Sequence, residues 1–143
     1  MSVECFLDTN VRVYAADSSD ASHAKPAAAR KLIADKQFGL SSQVLQEFFV
    51  VVSRKLQTPL STEEAIEAVE YFACFPCVAV DSHLVLESIT VSKQHQLNYW
   101  DAAILAVAVR LGAPLVYSKD LNHGQQYGEV QVLNPFLDAL SKS

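Results

Sequence analysis

Short apolar runs alternate with amphipathic segments along the whole chain. The first apolar run, residues 3–7, ends in the polar triplet Asp8-Thr9-Asn10, and a helical pattern follows over residues 11–16. Further strands are predicted over residues 38–41, 77–80, 115–117 and 130–133. Further helices are predicted over residues 24–36, 43–56, 62–72, 84–96, 99–109 and 135–141. This alternation predicts an α/β fold, with a central, mostly parallel sheet flanked by helices on both faces.

Two helix starts carry capping signals in the sequence. Ser61 is followed three residues later by Glu64, which is the spacing of a capping box. Asn98 is followed at the same spacing by Asp101, at the start of a segment that is apolar almost all round. A helix of that kind is expected to be buried on most sides. Asp101 therefore stands in the first turn of a buried helix, where capping alone would be enough to explain it.

Composition and charge limit the classes of protein to consider. A chain of 143 residues that is half apolar is expected to form a single domain over residues 1–143. The formal net charge of −5 argues against a protein that coats nucleic acid through a broad basic face. It leaves open an enzyme whose clustered carboxylates hold a cation. No apolar run has the length of a membrane span and no signal-peptide pattern is present, so we expect a cytoplasmic protein.

The three cysteines do not suggest a disulfide framework, because their number is odd. Cys74 and Cys77 have the spacing of a redox motif. A reactive pair of that type opens a helix, whose N-terminus lowers the thiol pKa. Here the pair follows a helix and precedes a strand, so we expect buried, structural cysteines.

Four acidic residues share an unusual placement. Asp8 and Asp120 follow predicted strands, Asp101 opens the buried helix, and Glu47 interrupts an apolar helix. Strand ends and the starts of the helices that follow them lie at one edge of a parallel sheet, where ligands bind. That rule does not fix Glu47, which lies inside its helix and has the simpler interpretation of a residue at the rim reaching water. Asp8 or Asn10 has a simpler interpretation as a helix cap.

Carboxylates gathered in one pocket favour a bound cation. They repel each other and raise one another's pKa values unless a positive charge neutralises them. Mg²⁺ or Mn²⁺ suits an all-oxygen ligand set. A hard cation of this kind activates water and stabilises charge on a phosphoryl oxygen, so the pattern fits hydrolysis of a phosphodiester bond.

The sequence also resembles the PIN-domain ribonucleases, specifically the VapC-type toxins of bacterial toxin–antitoxin systems. The matching segments are Phe6-Leu7-Asp8-Thr9-Asn10-Val11, Gln46-Glu47-Phe48, Trp100-Asp101-Ala102-Ala103-Ile104-Leu105 and Tyr117-Ser118-Lys119-Asp120-Leu121-Asn122-His123-Gly124. Together they extend the resemblance over essentially the whole chain. The resemblance implies a PIN fold and an endoribonuclease that depends on Mg²⁺ or Mn²⁺.

The same resemblance implies roles for individual residues and partners. The metal-site acids would be Asp8, Glu47, Asp101 and Asp120. Asn10 and Ser118 would be polar support that orients these acids or a metal-bound water. The expected partners are an RNA substrate, a cognate antitoxin whose tail enters the active-site groove, and a second copy of the chain in a homodimer.

Two residues depart from the family pattern, and rival functions remain open. Arg12 stands where an aliphatic residue is usual: facing the pocket it would pair with an acid or a substrate phosphate, and facing the core it would cost stability. Lys119 stands where many relatives carry an acid or a small polar residue. A phosphohydrolase of the haloacid-dehalogenase type would need an acid where Asn10 stands. A catalytically weak PIN scaffold that binds other proteins is the main alternative.

Overall fold

The computed structural model of the chain describes residues 3–16, 24–56 and 58–137. The strands are β1 (Cys5–Leu7), β2 (Phe38–Ser41), β3 (Cys77–Val78), β4 (Leu115–Tyr117), β5 (Gln126–Tyr127) and β6 (Val130–Leu133). The α-helices are α1 (Thr9–Ala16), α2 (Ala24–Asp35), α3 (Ser42–Val50), α4 (Thr62–Ala73), α5 (Ser82–His95) and α6 (Tyr99–Leu111).

One sheet contains all six strands in the order β3-β2-β1-β4-β6-β5. Every neighbouring pair is parallel except β5 and β6, which pair antiparallel at one edge. The two central strands align Leu7 with Tyr117, so β1 and β4 end side by side. The predicted α/β fold with a mostly parallel sheet is confirmed, and it brings the residues that follow β1 and β4 to one edge.

Side-chain caps begin the helices at the predicted positions. Ser61 and Glu64 form the complete capping box of α4, in which each side chain bonds the backbone N–H of the other residue. Asn98 caps α6, since its Oδ1 accepts a hydrogen bond from the Asp101 amide at 2.9 Å. These bonds satisfy amides that the first turn of a helix otherwise leaves without partners. Local sequence therefore fixes where α4 and α6 begin.

Helix α6 is the most deeply packed helix of the fold, as its apolar sequence predicts. It buries six of its thirteen residues, Ala102, Ala103, Leu105, Ala106, Val107 and Ala108. At its C-terminal end, Leu111 lies directly over Gly39 of β2, where a Cβ would come within 2.7 Å of the leucine side chain. The bare backbone of Gly39 therefore allows the close approach of α6 to the sheet.

Arg12 faces the core rather than the pocket, and it is completely buried. Its guanidinium donates hydrogen bonds to the carbonyl oxygens of Leu7, at the end of β1, and of Gly39, in the neighbouring strand β2. The rings of Phe38 and Phe72 lie 5.1 and 5.0 Å from its Cζ. Burial lowers the pKa of Arg12 to about 9, which leaves the side chain positively charged at neutral pH.

Several local features differ from the sequence prediction. The helix predicted over residues 43–56 is α-helical only as far as Val50 and continues as a π-helical segment, Val51–Lys55. The strand predicted over residues 77–80 is limited to Cys77–Val78, and β5 was not predicted. The expectation of buried cysteines is wrong for Cys74 and Cys77, because both are exposed at the end of α4 and in the edge strand. The predicted C-terminal helix lies mostly outside the described residues.

In the described ranges, the helices are too short or too polar to cross a membrane.

Candidate active site

A cavity of about 490 Å³ opens at the edge of the sheet where β1 and β4 end. Its walls come from the start of α1, the middle of α3, the first turn of α6 and the segment after β4. The acids that line it are Asp8, Glu47, Asp101 and Asp120. All four acids that the sequence singled out therefore border one space, although they come from four different parts of the chain.

Asp8 is the most buried of these acids, with 8 % of its surface exposed. Its Oδ2 accepts a hydrogen bond from Ser118 Oγ at 2.8 Å, and its Oδ1 accepts one from the Thr9 amide at 2.7 Å. Burial raises the pKa of Asp8 most, the two hydrogen bonds lower it, and the charges of Glu47 and Asp120 raise it further. The net effect is a raised pKa, as expected for a carboxyl group that is buried beside other carboxylates.

Glu47 lies at the rim of the cavity on α3, and it is exposed to solvent. Its Oε1 accepts a hydrogen bond from Gln43 Nε2 at 3.0 Å, one helical turn earlier. Its Oε2 lies 3.4 Å from Thr9 Oγ1, the residue next to Asp8. The exposure of Glu47 agrees with the simpler interpretation, in which it lies at the helix rim and reaches water. Its side chain nevertheless also borders the cavity.

Asp120 and Asn10 form a second polar group beside Asp8. Asn10 Nδ2 donates to Asp120 Oδ2 at 3.1 Å, and the Asp120 amide donates to Ser118 Oγ at 3.2 Å. Ser118 therefore connects the Asp8 carboxylate to the backbone of Asp120, because its hydroxyl also donates to Asp8. Asn10 Oδ1 is buried and has no hydrogen-bond partner among the described residues.

Asp101 occupies the first turn of α6, on the wall formed by that helix. Its Oδ2 accepts a hydrogen bond from Asn98 Nδ2 at 2.8 Å, while its amide donates to Asn98 Oδ1. The carboxylate is thus held in one orientation by the residue that caps the helix. The Asn98 cap is confirmed, but the Asp101 carboxylate bonds the Asn98 side chain and not its backbone amide, so the reciprocal bond of a capping box is not formed.

The structure adds residues that the sequence analysis missed. Thr9 and Gln43 line the cavity and contact Glu47, and Tyr14 and Trp100 contribute aromatic surface. The sequence positions of two of these residues could have predicted their place. Thr9 lies between Asp8 and Asn10, and Gln43 precedes Glu47 by four residues, which is the spacing of neighbours on one face of a helix. Lys119, which departs from the family pattern, places an exposed cationic side chain on the wall of the same cavity.

The residues of this cavity fit a hard divalent cation in chemical type. Burial, together with the charges of Glu47 and Asp120, raises the pKa of Asp8, and Asn10 Oδ1 is a buried oxygen that has no hydrogen-bond partner among the described residues. Within the described ranges, however, no three Asp, Glu, His or Cys side chains converge closely enough to hold a metal ion directly. Mg²⁺ is commonly bound through one or two carboxylates while it keeps several waters. The arrangement suits binding of that kind rather than a closed protein cage.

The fold and the cavity define the class as an α/β domain that gathers carboxylates beyond the ends of parallel strands. The PIN domain family model matches residues 5–128. The chain therefore belongs to the PIN domain family. A comparison with curated proteins finds no significant match in sequence.

Solved structures of similar fold come from toxin–antitoxin systems. The chain resembles VapC20 of Mycobacterium tuberculosis, described as a toxin that cleaves the sarcin-ricin loop, with a TM-score of 0.65, 20% identity, and coverage of 90% of this chain and 99% of that one. A toxin–antitoxin complex from Klebsiella pneumoniae matches with a TM-score of 0.64 and 16% identity over 92% and 98% of the two chains. VapBC2 of Rickettsia felis, solved with a fragment of its promoter DNA, matches with a TM-score of 0.58 and 19% identity over 91% and 97%.

Proposed function

We propose that this chain is a single PIN domain over residues 1–143 that acts as a metal-dependent endoribonuclease. The observation that carries the proposal is the cavity bordered by Asp8, Glu47, Asp101 and Asp120, in which the most buried acid has a raised pKa. A carboxylate that is destabilised in this way has a strong electrostatic preference for a nearby cation. Hydrolysis of a phosphodiester bond is the chemistry that such an ion assists.

The roles of the residues follow from their contacts. Asp8 and Asp101 are the best-oriented ligands, because Ser118 and Asn98 fix their carboxylates by hydrogen bonds of 2.8 Å each. Asp120 is oriented by Asn10, and Glu47 borders the opening, where it meets solvent. A bound Mg²⁺ or Mn²⁺ would supply an activated water and would stabilise negative charge on the phosphoryl oxygens.

We further propose that the protein is the toxin of a type II toxin–antitoxin pair. VapC20 is described as a toxin that cleaves the sarcin-ricin loop, and the Klebsiella and Rickettsia structures are of toxin–antitoxin proteins. Their folds match over nearly the full length of each chain, which supports a cognate antitoxin and an RNA substrate here. A homodimer and a cytoplasmic location belong to the same proposal.

The experiment is cleavage of a mixed RNA pool by the purified protein in Mg²⁺ or Mn²⁺, with EDTA as the metal-free arm. Replacing Asp101 by Asn keeps the shape of the side chain and removes its charge, so cleavage should fall by about 100-fold or more. The matched control is Glu63→Gln, an exposed acid on α4 that lies outside the cavity, and it should cleave like the parent. Cleavage that persists in EDTA or in Asp101→Asn would refute the mechanism.

The second candidate is a PIN scaffold that binds proteins and cleaves weakly or not at all. The specific observation in its favour is that no three metal-ligating side chains converge in the described part of the chain. The same assay separates the two candidates. Absence of metal-dependent cleavage, together with retained binding to a partner protein, would support the scaffold.

A further inference from the structure

Trp100 is the only tryptophan of the chain, and 62 % of its surface is exposed. It stands in the first turn of α6, directly before Asp101, and it lines the cavity. The residues of α6 from Ala102 to Ala108 pack mostly into the core, whereas the exposed indole at the start of the helix does not. An exposed aromatic ring that also lines a cavity is available for stacking on a planar ligand group.

The local geometry presents the indole ring for stacking. The ring of Tyr99 lies 5.0 Å from it at an interplanar angle of 82°. Because the two rings are nearly perpendicular, Tyr99 supports the indole without occupying a parallel stacking position. A planar group such as a nucleic-acid base can therefore stack on Trp100 within the cavity that Asp101 also lines.

Two lysines lie near Tyr14, one of the residues that line the cavity. Lys119 Nζ lies 5.6 Å from the centre of the Tyr14 ring, and Lys25 Nζ lies 5.4 Å from it. Tyr14 and Lys119 both line the cavity. In a chain with a net charge of −5, two ammonium groups beside an acidic cavity offer contacts for phosphate groups. Aromatic platforms combined with cationic side chains are the usual means of binding single-stranded nucleic acid.

We propose that Trp100 is a substrate-contacting residue on which an unpaired base of the RNA stacks, while Lys119 contacts the adjacent phosphate. The inference rests on the proposed ribonuclease function and adds to it a residue that contacts a base of the substrate. Bases in a duplex are already stacked on each other, whereas unpaired bases in loops and single strands are free to stack on aromatic side chains. Trp100 therefore holds an unpaired base and places a neighbouring phosphodiester bond at the acids.

Because Trp100 is the only tryptophan, its fluorescence reports directly on this contact. The Asp8→Asn variant, which should leave the RNA intact, is titrated in Mg²⁺ with a ten-nucleotide oligoadenylate and with an RNA duplex of the same length. We expect strong quenching by the single strand and little by the duplex. If fluorescence anisotropy of labelled oligoadenylate shows binding while the tryptophan emission stays unchanged, the proposal is wrong.

Substitutions test the energetic contribution of the ring. In otherwise unchanged protein, Trp100→Leu should weaken binding of the oligoadenylate by about tenfold or more and raise KM for its cleavage. Trp100→Phe keeps an aromatic ring, so its affinity and its KM should stay close to those of the parent. The control is Val109→Ala, an exposed residue near the other end of α6, which should behave like the parent. If Trp100→Leu and the parent cleave equally well, the stacking role of Trp100 is wrong, while the proposed ribonuclease function stands. If the parent cleaves no RNA, the proposed function fails first.

A protein partner is the competing occupant of the indole. If Trp100→Leu binds and cleaves RNA normally but loses binding to a partner protein, the residue contacts protein and the stacking proposal is overturned.

Discussion

At Asp8, burial acts against the charge that the proposed function needs. The carboxyl group is almost completely withdrawn from water, and Glu47 and Asp120 add negative charge nearby. Two hydrogen bonds from Ser118 and Thr9 compensate only in part, because the pKa of Asp8 remains raised. A bound cation would therefore lower the electrostatic cost of the negative charge on Asp8.

The first prediction concerns the pH dependence of stability without metal. Because the pKa of Asp8 is higher in the folded than in the unfolded protein, the folded state binds more protons between pH 3.8 and the raised value. Stability is therefore lost as pH rises through this window. Asp8→Asn removes this loss, so in EDTA near neutral pH the variant should melt at a higher temperature than the parent.

Thermal unfolding between pH 4 and pH 8 measures this effect, with Glu129→Gln in the exposed turn between β5 and β6 as the control. Mg²⁺ should then raise the melting temperature of the parent and leave that of Asp8→Asn nearly unchanged, since a ligand stabilises only the state that binds it. Parallel pH curves for parent and Asp8→Asn would contradict the interpretation of Asp8.

At the scale of the element, the start of α6 combines a structural and a functional task. Asn98 satisfies the Asp101 amide and also holds the Asp101 carboxylate. The cap of α4 is similar in form, but Ser61 and Glu64 are exposed and lie away from the acidic cavity. The chain therefore offers two caps of similar type, only one of which touches the candidate site.

The second prediction uses this pair of caps. Asn98→Ala and Ser61→Ala should each lower the free energy of unfolding by about 1 kcal/mol, because each removes a side-chain cap. Only Asn98→Ala should also reduce RNA cleavage, by about tenfold, since Asp101 loses the donor that orients it. Chemical denaturation and initial cleavage rates are the measurements. Equal cleavage rates in the two variants would show that Asn98 acts on the helix alone.

At the scale of the whole molecule, the packing of α6 on the sheet sets the distance between Asp101 and the strand ends. Gly39 allows this packing, because its missing side chain leaves room for Leu111. Its carbonyl oxygen also accepts a hydrogen bond from the buried Arg12. Gly39 is therefore the point of strand β2 that helix α6 and the Arg12 side chain both contact.

The third prediction is that Gly39→Ala destabilises the protein by about 1–3 kcal/mol through overpacking. The new Cβ would lie 2.7 and 2.9 Å from the two terminal carbons of Leu111, so that side chain has to move. Leu111→Ala should relieve the strain, and the double variant should be more stable than the sum of the single effects implies. A double-mutant cycle in urea measures the coupling, and simple additivity would count against the contact.

The sequence by itself determined the features that depend on near neighbours in the chain. Hydrophobic periodicity predicted the alternation of strands and helices, and the capping pairs at Ser61 and Asn98 predicted where two helices begin. The rule that parallel strands end at one edge was sufficient to predict that Asp8 and Asp120 come close together.

Only the tertiary structure decided the features that depend on residues far apart in the chain. Glu47 reaches the cavity because α3 packs beside α1, which brings it to Thr9, 38 residues away. Arg12 points into the core because strand-end carbonyls and aromatic rings surround it, and Trp100 stays exposed although its helix is buried. Hydrophobic periodicity shows which face of a helix or strand is apolar. Which other element packs against that face depends on the packing of the whole chain.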